Sequence, residues 1–274
     1  MRLQPSACWR RAFGCDMTKL HYLDPHPAGH PTVLLLHGLG ADATSWTLQL
    51  PALTGAGFRP IAPDTPGFGQ SPYDGRGWSI RRMAADMASL LEELQTGPAH
   101  VVGLSMGGTI AQQFALNYPH LTRRLVLVST FAILRPDTLS GWLYFVQRAI
   151  LVNTLGLPAQ ARVVAQRVFP GPRYGPLREM LVETISRADP RAYRKAMASL
   201  GLFNSVKRLG EIKVPTLVVT GADDTTVTPA RQRLLVDGIP AARQVIVPDA
   251  GHAVPGEQAE RFNWELLAFL LLLA

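Results

Sequence analysis

The sequence predicts one α/β body: a mostly parallel central sheet with helices on both faces, interrupted once by an inserted helical lid. Three observations carry this. Continuous apolar runs of strand length recur from residue 32 onward, the pattern of strands buried on both faces. Segments with helical spacing separate them, and such alternation builds a parallel sheet covered on both sides. The rhythm then stops after Thr130 and resumes only at Val214, leaving a stretch of helical spacing broken by Pro and Gly. At 274 residues, 47% apolar and 17% charged, the chain can bury a core without disulfides or metals. That composition excludes disorder, and the 24 Gly and 22 Pro follow no repeat, which excludes collagen-like architecture.

In chain order, Thr32-Val33-Leu34-Leu35-Leu36 is the first buried strand, ended by His37-Gly38. Trp46 to Leu53 is expected to be helical, closed by Gly55 and Gly57. Arg59 to Asp64 is a second strand, and its two prolines predict an irregular one. Ser79 to Leu91 is a helix with Ser79 as N-cap. His100 to Leu104 is a strand, Gly107 to Tyr118 a helix stopped by Pro119, and Arg124 to Val128 a strand. After the interruption come a strand at Val214–Thr220, a helix near Pro229–Val236, a strand at Gln244–Val247 and a terminal helix. The expected division is a poorly ordered extension over 1–16, a core over 17–131 and 211–274, and a lid over 132–210.

The chain ends add little chemistry. Residues 1–16 lack the apolar stretch of a secretory signal, and Arg10-Arg11 is followed by Gly14-Cys15-Asp16 where a twin-arginine signal needs apolar residues. Cys8 and Cys15 cannot form a disulfide framework or a four-ligand zinc site, and they fit a reducing, cytoplasmic setting. The apolar run Leu266–Ala274 is too short to span a bilayer. It is expected to pack as a helix on the sheet, in a monomer or in a homodimer joined through that helix.

The chemistry centres on Gly103-Leu104-Ser105-Met106-Gly107-Gly108, a Gly-x-Ser-x-Gly pattern that follows a buried strand and opens a helix. A serine on so tight a turn needs glycine neighbours, which bring no Cβ to collide with strand or helix. The helix N-terminus behind it favours an oxyanion. A serine hydroxyl needs a base, and of seven histidines His252 alone lies just past the last strand, at the same carboxyl edge as Ser105. His37, at the end of the first strand, is the leading rival. Either Asp223 or Asp224, past the preceding strand, would serve to orient the imidazole.

These motifs resemble the alpha/beta-hydrolase superfamily across residues 17–274. His37-Gly38-Leu39-Gly40 resembles its oxyanion loop, and Asp64-Thr65-Pro66-Gly67-Phe68-Gly69-Gln70-Ser71 its Asp-x-x-Gly-x-Gly-x-Ser loop. The resemblance implies the alpha/beta-hydrolase fold and selects Asp224 over Asp223. It places the oxyanion hole at the backbone N–H groups of Leu39 and Met106 and makes His37 a tether for that loop. Within the superfamily, Gly-Leu-Ser-Met-Gly-Gly and Gly251-His252 are similar to small carboxylesterases and 3-oxoadipate enol-lactonase-like proteins. Asp64 reads as loop architecture rather than chemistry. Gly38, Trp46, Phe131 and Trp142 are expected to wall the substrate pocket, with two or three lid aromatics facing the substrate.

The expected function is a cofactor-free, metal-free serine hydrolase acting on a small carboxylic ester or lactone. Ser105 excludes the aspartate-nucleophile members of the superfamily. Carbon–carbon bond hydrolases, thioesterases, acyltransferases, perhydrolases and a non-turnover, receptor-like ligand binder remain compatible. Charge alone points to nucleic acid: the net is +7 and Arg outnumbers Lys 23 to 4. The stretch from Arg135 to Gly210, where twelve basic residues face four acidic ones, alone carries +8 and is partly offset elsewhere, and no nucleic-acid-binding module accompanies it. A basic lid instead predicts an arginine-rich outer face, or steering of carboxylate-bearing substrates toward the cleft.

Overall fold

The computed structural model describes residues 20–134 and 139–272; the extension over 1–16 lies outside them. Among the described residues seven strands form one sheet: β1 (Tyr22–Leu23), β2 (Thr32–Leu36), β3 (Arg59–Pro63), β4 (Ala99–Leu104), β5 (Thr122–Val128), β6 (Thr216–Gly221) and β7 (Ala242–Val247). Their order is β1-β3-β2-β4-β5-β6-β7, with β1 antiparallel to β3 and every other pair parallel. β2 is buried at all five positions. Because side chains alternate across a strand, Leu34 and Leu36 join one core, and Val33 and Leu35 the core on the opposite face.

Pro60 of β3 sits where it does no harm. Arg59 N–H donates to Pro31 O (3.1 Å) and Asp64 N–H to His21 O (2.9 Å), so successive amides alternate between the two neighbouring strands. Pro60 would therefore point its missing N–H at the β1 side, where β1 reaches only Ala62 and Pro63.

Helices cover both faces: α1 (Leu50–Gly55), α2 (Ile80–Glu93), α3 (Met106–Asn117), α8 (Pro229–Gly238), the single turn α9 (Val254–Glu257) and α10 (Ala259–Leu270). Ser79 caps α2 by accepting from Arg82 N–H (3.2 Å), and Met83, Met87, Leu90 and Leu91 form its buried face. The expected helix over 46–53 is instead a 3-10 turn at Ala43–Trp46 followed by α1. The side chain of Asp42 tightens that turn by accepting from Thr44 N–H, and Pro51 opens α1 as a fresh helix start. α10 lays Phe262, Leu266, Phe269 and Leu270 against the core that holds Val33 and Leu35. No helix among the described residues is long and apolar enough to cross a membrane.

Between β5 and β6 the chain leaves the sheet as four helices, α4 (Leu139–Thr154), α5 (Gly156–Val168), α6 (Gly175–Arg187) and α7 (Pro190–Leu202). An antiparallel bridge between Ile133 and Asn204, with Ser205 N–H donating to Ala132 O (2.9 Å), ties the two ends of this insertion together.

Candidate active site

Ser105 follows β4 at φ 53°, ψ −111°, and α3 begins at the next residue. Such a backbone costs about 1–3 kcal/mol for a residue with a Cβ. The surroundings hold it: Ser105 N–H donates to Val128 O (2.9 Å), and the Thr130 hydroxyl donates to Ser105 O (2.7 Å). The glycines are obligatory because β2, β4 and α3 converge there. A Cβ on Gly103 would enter the backbone of Gly107, and one on Gly107 would strike the carbonyl of Leu36.

β6 and β7 bring the other two groups to the same edge. The His252 ring lies between Asp224 and Ser105, with Nδ1 3.0 Å from Asp224 Oδ2 and Nε2 3.0 Å from Ser105 Oγ. The carboxylate fixes the tautomer: Nδ1–H donates to Asp224, which leaves Nε2 to accept from the serine hydroxyl. Asp224 is buried, and its Oδ1 accepts from Thr226 N–H (2.8 Å) and Val227 N–H (2.9 Å). Gln232 Nε2 donates to its other oxygen (3.3 Å). Asp223 is exposed, and its N–H donates to Ala250 O. Glu257 clamps the loop of His252 from both sides, accepting from Gly251 N–H (2.9 Å) and Ala253 N–H (2.8 Å). Gln232 and Glu257 carry no sequence signal, since nothing in their spacing foretells a contact across the loop.

The loop after β2 runs beside the serine, and a Cβ on Gly38 would sit 3.7 Å from that of Ser105. Neither Leu39 N–H nor Met106 N–H has a protein acceptor among the described residues. His37 is not a base here. Its Nε2 accepts from Thr65 N–H (3.0 Å), so Nδ1 carries the proton and donates to Gly38 O (2.8 Å). Burial pushes its pKa down, partly opposed by the Gly38 carbonyl and by Asp64, and holds the ring neutral. Asp64 staples the loops together by accepting from Ala43 N–H (2.7 Å) and Gln70 N–H (2.8 Å), and it pairs with His21 Nδ1 (2.7 Å).

Ser105 and His252 open into a cavity of about 770 Å³ whose walls include Gly38, Leu39 and Phe131. Two expected wall residues are elsewhere. Trp46 is fully buried on the other side of its loop, its ring 6.3 Å from that of Phe262 in the α10 core. Trp142 is 57% exposed on the outer side of α4, because the helical turn puts Gly141 and Tyr144 on the cavity side instead. Of the insertion's aromatics, Tyr144 and Phe169 line the cavity, whereas Phe203 stacks edge-on against Phe131. Arg148 and Arg167, not expected there from the sequence, also line it. Their only signal was membership of a basic stretch. Among the described residues no group of His, Cys, Asp or Glu is arranged to hold a metal ion.

A strained serine between strand and helix, a strand-end histidine and a strand-end aspartate on this sheet order define an α/β hydrolase, and the chain belongs to the alpha/beta hydrolase family, whose model matches residues 33–265. It is 34% identical to the Variovorax paradoxus protein that carries the name carbamate hydrolase RutD, over 92% of this chain and 96% of that one. Its fold is similar to that of the enol-lactonase from Burkholderia xenovorans LB400, with a TM-score of 0.84 and 29% identity over 92% and 96% of the two chains. An esterase from Thermogutta terrifontis is similar too, with a TM-score of 0.81 and 32% identity over 92% of each chain. The family and the α/β-hydrolase fold expected from the motifs thus hold.

Proposed function

We propose that this hydrolase is a serine esterase that cleaves small carboxylic esters or lactones through an acyl-enzyme. The observation that carries the reading is the unbroken Ser105–His252–Asp224 hydrogen-bond chain at the floor of the cavity. His252 Nε2 takes the Ser105 proton as Oγ attacks the acyl carbon, and Asp224 holds the ring and stabilises its charged form. The free N–H groups of Leu39 and Met106 receive the oxyanion, each donor contributing about 3–4 kcal/mol to the transition state. His252 then protonates the leaving alcohol and activates the water that releases the acid. The four-helix insertion acts as the lid of the cavity. No step calls for a cofactor.

One second reading has a specific support, the name borne by the Variovorax relative: the same three residues cleaving a carbamate. Turnover of p-nitrophenyl esters from acetate to laurate, one lactone, a carbamate and a vinylogous diketone separates the two. The ester reading expects the esters or the lactone to give the highest kcat/KM, and Ser105→Ala to lose turnover on all of them. Preference for the carbamate by tenfold or more would transfer the assignment to the second reading, and full activity in Ser105→Ala would remove both.

A further inference from the structure

Arg148 is the unusual residue of the cavity. It sits on the cavity side of α4, half-buried, in the same chamber as Ser105 and His252. Its partners are all neutral. The Gln160 amide oxygen, turned toward it, accepts from Nε (2.7 Å) and Nη2 (3.1 Å), and the Tyr193 hydroxyl accepts from Nη2 (3.2 Å). Both of those side chains are fully buried, so the guanidinium is held in one orientation. Its carbon lies 5.6 Å from the centre of the Tyr144 ring, and that of Arg167 lies 4.9 Å from the same ring. Arg167 in turn donates to Thr225 O (2.5 Å). Neither arginine pairs with a carboxylate among the described residues. Asp42, the one acid on the cavity wall among the described residues, is occupied with Thr44 N–H (2.9 Å) and the Thr44 hydroxyl (2.5 Å).

An amide and phenols orient a guanidinium without neutralising it, and a cation partly withdrawn from water gains from a counter-charge. Gln160 and Tyr193 take the donors of Nε and Nη2, so Nη1 carries the N–H groups left for a ligand; a carboxylate accepting there makes a charge-assisted hydrogen bond, and the guanidinium stays charged at every working pH. We propose that Arg148, with Arg167 across the Tyr144 ring, forms a carboxylate-binding subsite, so that the preferred substrates are esters or lactones carrying a second, free carboxylate. This rests on the reading of the cavity as the substrate chamber. It turns the basic insertion from a diffuse attraction into a fixed anchor that sets which end of the substrate faces Ser105.

The test is calorimetric binding of monomethyl glutarate and dimethyl glutarate to the S105A protein, which cannot turn them over. The subsite predicts that the monoanion binds about 10- to 100-fold tighter than the diester, the range of a charge-assisted hydrogen-bonded pair. R148M in the same background should bring the two affinities within about threefold of each other. Equal affinities in S105A, or a preference that survives R148M, overturn the proposal. Should R148M fail to fold, the exposed Arg167 carries the test: R167M must lower the preference at least about threefold, and no change overturns it. Ester hydrolysis by the wild-type protein is scored separately. A protein that prefers the monoanion yet cleaves no ester keeps the subsite and loses the esterase reading.

Discussion

At the scale of single residues, the site depends on what is missing as much as on what is present. Gly107 lets the first turn of α3 press against the end of β2, and any side chain there must push the strand or the elbow aside. Gly107→Ala is expected to cost about 1–3 kcal/mol of stability and to lower kcat with it, because the displaced element carries Ser105. Urea unfolding checks the first effect, and an unchanged midpoint would refute it. The same residues explain why so much of the site was legible in the sequence. Ser105, Asp224 and His252 each follow a strand, and strand ends on one edge of a parallel sheet are close in space however far apart in sequence. Walls are different. Trp46 and Trp142 looked suitable by type, but which way a side chain faces depends on the phase of its helix and on the neighbours the insertion brings, and a single sequence records neither. Arg148 was invisible for the same reason: its neutral partners come from α5 and α7.

At the scale of elements, β4 carries a second consequence of close packing. His100 lies near its start, buried between Val33 of β2 and Arg124 of β5, with its ring edge-on to Phe58 at 5.8 Å. Burial, helped by Arg123 and Arg124, pushes its pKa down from 6.5 to about 4. The unfolded chain takes up a proton near 6.5 and the folded chain only near 4, so between these values the unfolded state holds more protons and stability falls as pH falls. The expected slope from His100 is about 1.4 kcal/mol per pH unit within that window. Buried His37 adds to it in the same sense, and Asp86, whose pKa burial raises to about 6, opposes it over part of the range. Thermal unfolding of His100→Asn from pH 7 to pH 4 should show a shallower decline than wild type; parallel curves would contradict the assignment. Elements with strong periodicity or caps, such as β2 and α2, were fully legible. The 43–55 segment was not, because apolar spacing alone cannot distinguish one helix from a 3-10 turn and a restarted helix.

At the scale of the whole molecule, the net +7 is concentrated on the insertion, above a chamber lined by Arg148 and Arg167. A steering field and the proposed anchor would act on different steps, and salt separates them. Raising ionic strength from 0.01 M to 0.15 M shortens the screening length from about 30 Å to about 8 Å. It should lower kcat/KM for a carboxylate-bearing ester severalfold and leave a neutral ester flat. Equal salt responses would leave the chain's charge without a role in substrate capture. The mostly parallel sheet and the site of the interruption were readable from alternation because the inner strands carry apolar runs such as Leu34–Leu36 and Leu125–Val128, whereas the strand order and the two-residue β1 leave no such mark. The packing of the four inserted helices was not, since their amphipathic faces meet one another and the cavity rather than a regular sheet.

The central claim is that Ser105 becomes acylated, and rapid mixing with p-nitrophenyl acetate followed by acid quench and peptide mass analysis tests it most directly. A burst of about one p-nitrophenol per protein and an acetyl group on the peptide containing Ser105 are expected, and neither in Ser105→Ala. Steady turnover with no acetyl group on that peptide, or an acetyl group elsewhere that persists in Ser105→Ala together with activity, would contradict it.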